Sequence, residues 1–182
     1  MLGRIATSLR RRWRARRAVA TARRDTEARL AQRPLSRILV ICYGNIYRSA
    51  FVGTLLREKL GKRAEIRSAG FHKVVGRASP ERHVEMSRSL GVDLSQHRSA
   101  LVTVEDLRWA DTILLMDRHN WDALVALGAD HDKLVWLGAL GTGELEIADP
   151  YRLDDAEALR VLRSMEESSR ALLARIEARQ VP

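Results

Sequence analysis

The 182-residue sequence has a single cysteine, Cys42. One thiol excludes a disulfide framework and any zinc or iron–sulfur site built from several cysteines, and it fits a reducing compartment. No apolar run approaches the length that spans a bilayer, and no compact apolar segment follows the first basic residues as a secretion signal requires. The chain therefore reads as cytoplasmic. Glycine and proline are missing between Arg4 and Arg33, so a helix meets no breaker before Pro34. Acidic residues are missing before Asp25.

That last absence makes the charge lopsided. Residues 1–35 hold eleven of the 32 basic residues and only two of the 23 acidic ones, Asp25 and Glu27. The remaining 21 of each sign cancel, so the formal net charge of +9 belongs to the N-terminal segment and the body is neutral. Leu2, Ile5, Leu9 and Trp13 fall at helical spacing among the arginines. Residues 1–35 thus read as a basic helical arm suited to the periphery of an anionic membrane or to an acidic partner. A solvated extension and an Arg-rich organelle leader are the competing readings. Nucleic acid is not expected as a partner, since the arm has one aromatic, Trp13, and the neutral body has no extended basic face.

Residues 36–182 carry enough apolar side chains for one domain with its own core. Ile38–Ile41, Ile113–Met116 and Leu134–Leu137 are continuous apolar runs, as in strands covered on both faces, and a weaker run surrounds Ile66. Helical patterns begin near Ser49, cover Pro80 to Leu90 before Gly91, and run from Asp117 to Leu127 before Gly128. Thr103 and Asp106 have the spacing of a capping box. Leu159, Leu162, Met165, Leu172, Leu173 and Ile176 mark one side of a last, core-facing helix. Strands alternating with helices predict an α/β fold with a four-stranded parallel sheet flanked by helices, plus the added N-terminal basic helix.

Ligands of such sheets bind beyond the carboxyl ends of the strands. The first strand runs directly into Cys42-Tyr43-Gly44-Asn45-Ile46-Tyr47-Arg48-Ser49, with a helix following. Without a proline, every amide from Tyr43 to Arg48 keeps its donor, and Gly44 and Asn45 tolerate the left-handed backbone of an anion-binding nest. A helix N-terminus and the Arg48 guanidinium point the same way: they favour thiolate over thiol and offer a fork matching two phosphoryl oxygens. The Ser49 hydroxyl is placed to donate to the sulfur. An inert strand-end cysteine is the bland alternative. A thiolate attacking phosphorus also needs an acid for the leaving oxygen, and Asp149, held extended by Pro150 and followed by Tyr151, is the best placed carboxylate in the sequence.

With these residues in view the sequence resembles the low-molecular-weight protein tyrosine phosphatases. The matching segments are Val40–Ser49, Ser68-Ala69-Gly70, Ser95–Arg98, Met116–Asn120 and Asp149-Pro150-Tyr151, in the family's order and across residues 36–180. The resemblance implies the family's phosphotyrosine phosphatase I-like fold. It implies Cys42 as the nucleophile that forms a phosphocysteine, Arg48 as the phosphate-binding arginine, and Asp149 as general acid and then base. It implies a phosphate-binding loop of Tyr43, Gly44, Asn45, Ile46, Tyr47 and Ser49, a supporting network including Ser68 and His97, and a pocket wall of Tyr151 and Phe71. It implies no metal and no cofactor. Its partner is a phosphotyrosine-containing protein, with a bacterial tyrosine kinase as one setting.

Departures from the family pattern sharpen the expectations. Tyr47 stands where a second cysteine often precedes the loop arginine, so an internal protective disulfide is impossible. Ala50 replaces a common proline, Ala100 a common arginine, and Arg152 a frequent second tyrosine. Ile46 stands where phosphoarginine-specific relatives tend to carry threonine, which favours an aromatic substrate. An arsenate-reductase relay needs further cysteines and is rejected. A phosphotyrosine-binding module without turnover and a phosphoarginine phosphatase remain as alternative functions.

Overall fold

A computed structural model describes residues 2–179, with side chains from Arg17 onward. Helix α1 (Leu2–Gln32) is followed by β1 (Arg37–Cys42), α2 (Arg48–Leu60), β2 (Glu65–Gly70), α3 (Glu81–Ser89), α4 (Val104–Trp109), β3 (Thr112–Leu115), α5 (Arg118–Ala126), β4 (Leu134–Trp136) and α6 (Asp155–Ala178). The four strands form one parallel sheet in the order β2-β1-β3-β4. This is the α/β architecture that the apolar runs predict.

The continuous apolar runs work because the strands are buried on both faces. Ile38, Val40 and Cys42 enter one core cluster with residues of α2 and α6, while Leu39 and Ile41 enter the other. Successive side chains alternate across a strand, so a helix on each face demands an apolar residue at every position. Ala158, Leu162, Met165, Leu172 and Ile176 form the buried stripe of α6, whereas Leu159 and Leu173 sit at its partly exposed flanks. The Thr103–Asp106 capping box forms at the start of α4 as its spacing predicts.

The strand order places β1 between β2 and β3. The connection after β1 turns to β2 on one side and the connection after β3 turns to β4 on the other, which opens the crevice where α/β proteins bind ligands. The Cys42 loop occupies that crevice.

The second half of the basic segment is a packed element. Thr26 and Leu30 of α1 are buried, and Ala22 packs on the second core cluster. Arg23 donates to the carbonyls of Ala139, Gly141 and Gly143 at 2.9, 2.6 and 2.6 Å. Arg29 donates to Leu134 O at 2.9 Å and lies over the Trp121 ring. Helix α1 thereby covers the β4 edge of the sheet, where an open strand edge would invite pairing with another chain. These arginines are used as capping donors for loop carbonyls, a role that charge counting does not reveal. Among the described residues, no helix is long and apolar enough to cross a membrane.

Candidate active site

The loop from Cys42 to Arg48 folds around the cysteine sulfur. The Asn45 N–H donates to Cys42 Sγ at 3.2 Å, and Ser49 Oγ lies 3.0 Å from the same atom. Asn45 has φ 51°, the only positive φ at a non-glycine among the described residues. The sequence singles out Gly44 and Asn45 together for left-handed backbone; the structure uses Asn45 alone. Fully buried, Asn45 is also tied on every polar group. Its Nδ2 donates to Ser49 Oγ at 2.9 Å, its Oδ1 accepts from the Ala100 N–H at 2.8 Å, and its carbonyl is 2.7 Å from His97 Nε2. Asparagine is chosen here because its short amide tolerates the left-handed well and satisfies itself locally. Helix α2 begins at Arg48 with no side-chain cap, so its first amides are left for a ligand.

The adjacent strand end presses on this loop. A Cβ on Gly70 would stand 2.6 Å from Tyr43 O and 2.9 Å from both Asn45 N and Cys42 O. Only glycine allows β2 to run this close, and the Phe71 and His72 N–H groups then donate to Tyr43 O at 2.8 and 3.1 Å.

Arg48 is almost fully buried, at 2% exposure. Its Nη1 donates to Asp117 Oδ2 at 2.5 Å and to Ile147 O at 2.9 Å, and its Nη2 donates to Asp149 Oδ2 at 2.7 Å. Burial opposes the charge, but the Cys42 sulfur and the two carboxylates outweigh it and hold the guanidinium above its ordinary pKa. The Nε of Arg48 is buried and unpartnered. Asp117 was not among the expected site residues. Its Oδ1 caps α5 by accepting from Asn120 N at 2.8 Å, while Oδ2 holds Arg48. Its sequence signals are its place in the matching segment Met116–Asn120 and its position: it follows β3, the strand next to β1, and so ends at the same crevice.

Asp149 is extended at φ −80°, ψ 119°, as Pro150 requires, and its Oδ1 accepts from Tyr151 N at 3.1 Å. The chain therefore brings Cys42 and Asp149 to the wall of one pocket of about 530 Å³, with Arg48 buried behind it and paired to Asp149. Tyr43, Ile46, Tyr47, His72 and Tyr151 line it with apolar and aromatic surface. Tyr43 and Tyr151 stand at the mouth, 57% and 63% exposed. Phe71, expected as a pocket wall, does not line the pocket: it packs on the second core cluster, and His72 takes the wall position beside Tyr43. Alternation past the end of β2 turns one residue inward and the next outward. Arg77, which sequence reasoning also passed over, fixes this segment by donating to Gly44 O at 2.6 Å.

A family model described as low molecular weight phosphotyrosine protein phosphatase matches residues 37–181. The chain belongs to the low-molecular-weight protein-tyrosine-phosphatase family. It is accordingly an enzyme of the phosphoric monoester hydrolase class. Among curated relatives, the low molecular weight protein-tyrosine-phosphatase Etp of Escherichia coli (strain K12) is 32% identical over 123 residues, 68% of this chain and 82% of its own length. The crystal structure of the Erwinia amylovora tyrosine phosphatase AmsI superposes with TM-score 0.72 at 28% identity, covering 78% of this chain and 93% of that one. The YwlE arginine phosphatase from Geobacillus stearothermophilus superposes equally well, with TM-score 0.73 at 25% identity over 80% of this chain and 96% of that one. Backbone shape therefore does not choose the substrate within this fold; side chains in the pocket do.

Within this phosphatase the Tyr47 position has its own packing solution. The Tyr47 ring meets His83 edge-on at 4.7 Å and Tyr151 at 6.1 Å, bridging the loop to the pocket mouth. His83 is buried at 1% exposure, and its Nε2 lies 3.3 Å from Tyr47 O. Burial drives the His83 pKa down to about 4. Burial, reinforced by Asp149, likewise raises the Tyr47 phenol. Of the two expected supporting residues, His97 reaches the loop through Asn45 O. Ser68 does not: its hydroxyl makes no hydrogen bond among the described residues, and it lines a separate cleft that His97 also borders.

Proposed function

We propose that this phosphatase hydrolyses phosphotyrosine through a phosphocysteine intermediate. The observation that supports this reading best is the unpartnered, buried Nε of Arg48 beside the Cys42 sulfur. A buried N–H left without a partner is costly, and a phosphoryl oxygen bound in the loop supplies that partner. Arg48 and the loop amides hold the three non-bridging oxygens and stabilise the charge they carry in the transition state. The Cys42 thiolate attacks phosphorus in line, the phosphorus–oxygen bond to the ring breaks, and Asp149 gives its proton to the departing phenolic oxygen. Water then donates a proton to Asp149 as it attacks phosphorus. The sulfur–phosphorus bond breaks, inorganic phosphate leaves, and the Ser49 hydroxyl donates to the restored thiolate.

Ile46 and the tyrosines at 43, 47 and 151 favour an aromatic leaving group over a guanidinium, which has no hydroxyl to bind at Ile46. The partner is a phosphotyrosine-bearing protein, with a bacterial tyrosine kinase as one candidate. The basic segment of residues 1–35, whose side chains before Arg17 lie outside those described, recruits the enzyme to an anionic membrane surface or acidic partner. The deciding experiment compares hydrolysis of phosphotyrosine and phosphoarginine peptides by wild type and Cys42→Ser without added metal. Turnover of phosphotyrosine that disappears in Cys42→Ser is expected. Binding of phosphotyrosine without turnover by wild type overturns the catalytic reading, and preference for phosphoarginine overturns the substrate.

A further inference from the structure

Behind the catalytic loop lies a second cleft of about 420 Å³, bordered by Arg57, Ser68, Gln96, His97, Arg98 and Asp106. Its charge is unbalanced. The Asp106 carboxylate is already used, by Arg67 at 3.0 Å and by the Thr103 capping box. The Arg57 guanidinium makes one hydrogen bond among the described residues, to Thr54 Oγ1, and that of Arg98 donates only to the carbonyls of Ser95 and His97. Neither meets a carboxylate; Glu58, the neighbour of Arg57 in sequence, interacts with it only at a distance. Desolvation of its inner face lowers the Arg57 pKa, although the residue as a whole is exposed to solvent.

The cleft also has a shaped floor. A Cβ on Gly53 would meet Ser68 Cβ at 2.9 Å, Ser68 Oγ at 3.2 Å and Arg57 Nη1 at 3.5 Å. Glycine at this point of α2 therefore lets the Arg57 fork and the Ser68 hydroxyl converge on one space. The Ser68 hydroxyl and the Gln96 side-chain amide have no hydrogen-bond partner among the described residues.

We infer that this cleft binds a small phosphate-class oxyanion, held by Arg57, Arg98, Ser68 and Gln96, and that its occupancy is coupled to the catalytic loop through His97. The coupling is one residue long. His97 borders the cleft on one side and reaches Asn45 O at 2.7 Å on the other, and Asn45 in turn donates to the Ser49 hydroxyl that faces the Cys42 sulfur. Arg57 and Arg98 both press the His97 pKa downward, beneath the larger effect of burial. An anion between the arginines cancels that pressure, favours the imidazolium, and strengthens its hydrogen bond to the loop. The site goes beyond phosphotyrosine hydrolysis: it makes the enzyme responsive to an anion that is not its substrate.

The test is a site-resolved NMR titration of the full chain with inorganic pyrophosphate. Two isotherms are expected in the wild type, one at the amides of Tyr43–Arg48 and one at Ser68 and Gln96–Arg98. In Arg57→Ala the second weakens by about tenfold or more while the loop amides keep an isotherm of their own, shifted only by the lost coupling, as loss of one charge-assisted contact implies. The His97 ring protons report a titration midpoint that rises with pyrophosphate in the wild type and stays fixed in Arg57→Ala. Arg98→Ala repeats the comparison from a position outside helix α2. A single isotherm shared by both regions, or cleft binding that survives both substitutions, overturns the proposal. Failure of the phosphatase reading shows separately, as absence of Cys42-dependent turnover.

Discussion

Asp117 Oδ2 and Arg48 Nη1 meet at 2.5 Å, and the same carboxylate caps helix α5 through its other oxygen. One side chain thus sets the start of a helix after β3 and the orientation of the arginine that follows β1. Asp117→Asn keeps a helix cap but removes the charge facing Arg48. The expected result is a fall in kcat/KM of about tenfold with little change in thermal midpoint, as for lost positioning of a transition-state contact. Asp117→Ala adds the loss of the cap, about 1 kcal/mol. Steady-state kinetics with an aryl phosphate and thermal unfolding of both variants check this; equal kinetics for Asn and wild type would remove Asp117 from the positioning role.

Gly70 is the tightest contact between β2 and the catalytic loop. Gly70→Ala forces the Tyr43 and Cys42 carbonyls away from their present places. Destabilisation of about 1–3 kcal/mol is expected, as for other overpacked sites, with a larger proportional loss in kcat because the displaced atoms belong to the loop. Chemical denaturation beside single-turnover kinetics separates the two effects.

His83 makes stability depend on acidity. Its native pKa of about 4 lies below the ordinary 6.5, because burial disfavours the imidazolium. Between those values the unfolded chain takes a proton that the native state refuses. Stability is complete above pH 6.5 and declines as pH falls toward 4, by up to about 3 kcal/mol at 1.36 kcal/mol per unit. The thermal midpoint of the wild type is expected to drop through this window. In His83→Phe the slope of that drop is smaller, and an unchanged slope would show that other groups carry it.

Peroxide provides a test of the Tyr47 position. Cys42 is the only thiol, so its sulfenic acid has no resolving partner within the chain. Brief oxidation is expected to be reversed by added thiol. Longer exposure leads to sulfinic acid and permanent loss of activity, read by intact mass and residual turnover. Recovery after long exposure without external thiol would contradict this.

Local pattern is enough to specify the sheet and the make-up of its central loop. Continuous apolar runs at Ile38–Ile41 and Ile113–Leu115 can only be satisfied between two helical layers, so a parallel sheet follows from pattern alone. Cys42, Asn45, Arg48 and Ser49 lie within one stretch of eight residues, and backbone geometry over that span is a local matter. Asp149 was legible through Pro150, although more than a hundred residues separate it from Cys42.

Tertiary structure decided what depends on separate elements meeting. Asp117 reads as a helix cap until β3 is seen beside β1. His72 rather than Phe71 lines the pocket, because alternation past the end of β2 at Gly70 turns Phe71 onto the second core cluster. Ser68 and His97 part company, one behind the loop and one bonded to it. Arg23 and Arg29 lie in a run of like charge and yet serve as capping donors for carbonyls around β4, where only a long cationic side chain reaches. Local pattern fixes which face of an element is buried; which partner covers that face is set by contacts between residues far apart in the chain, and those no periodicity records.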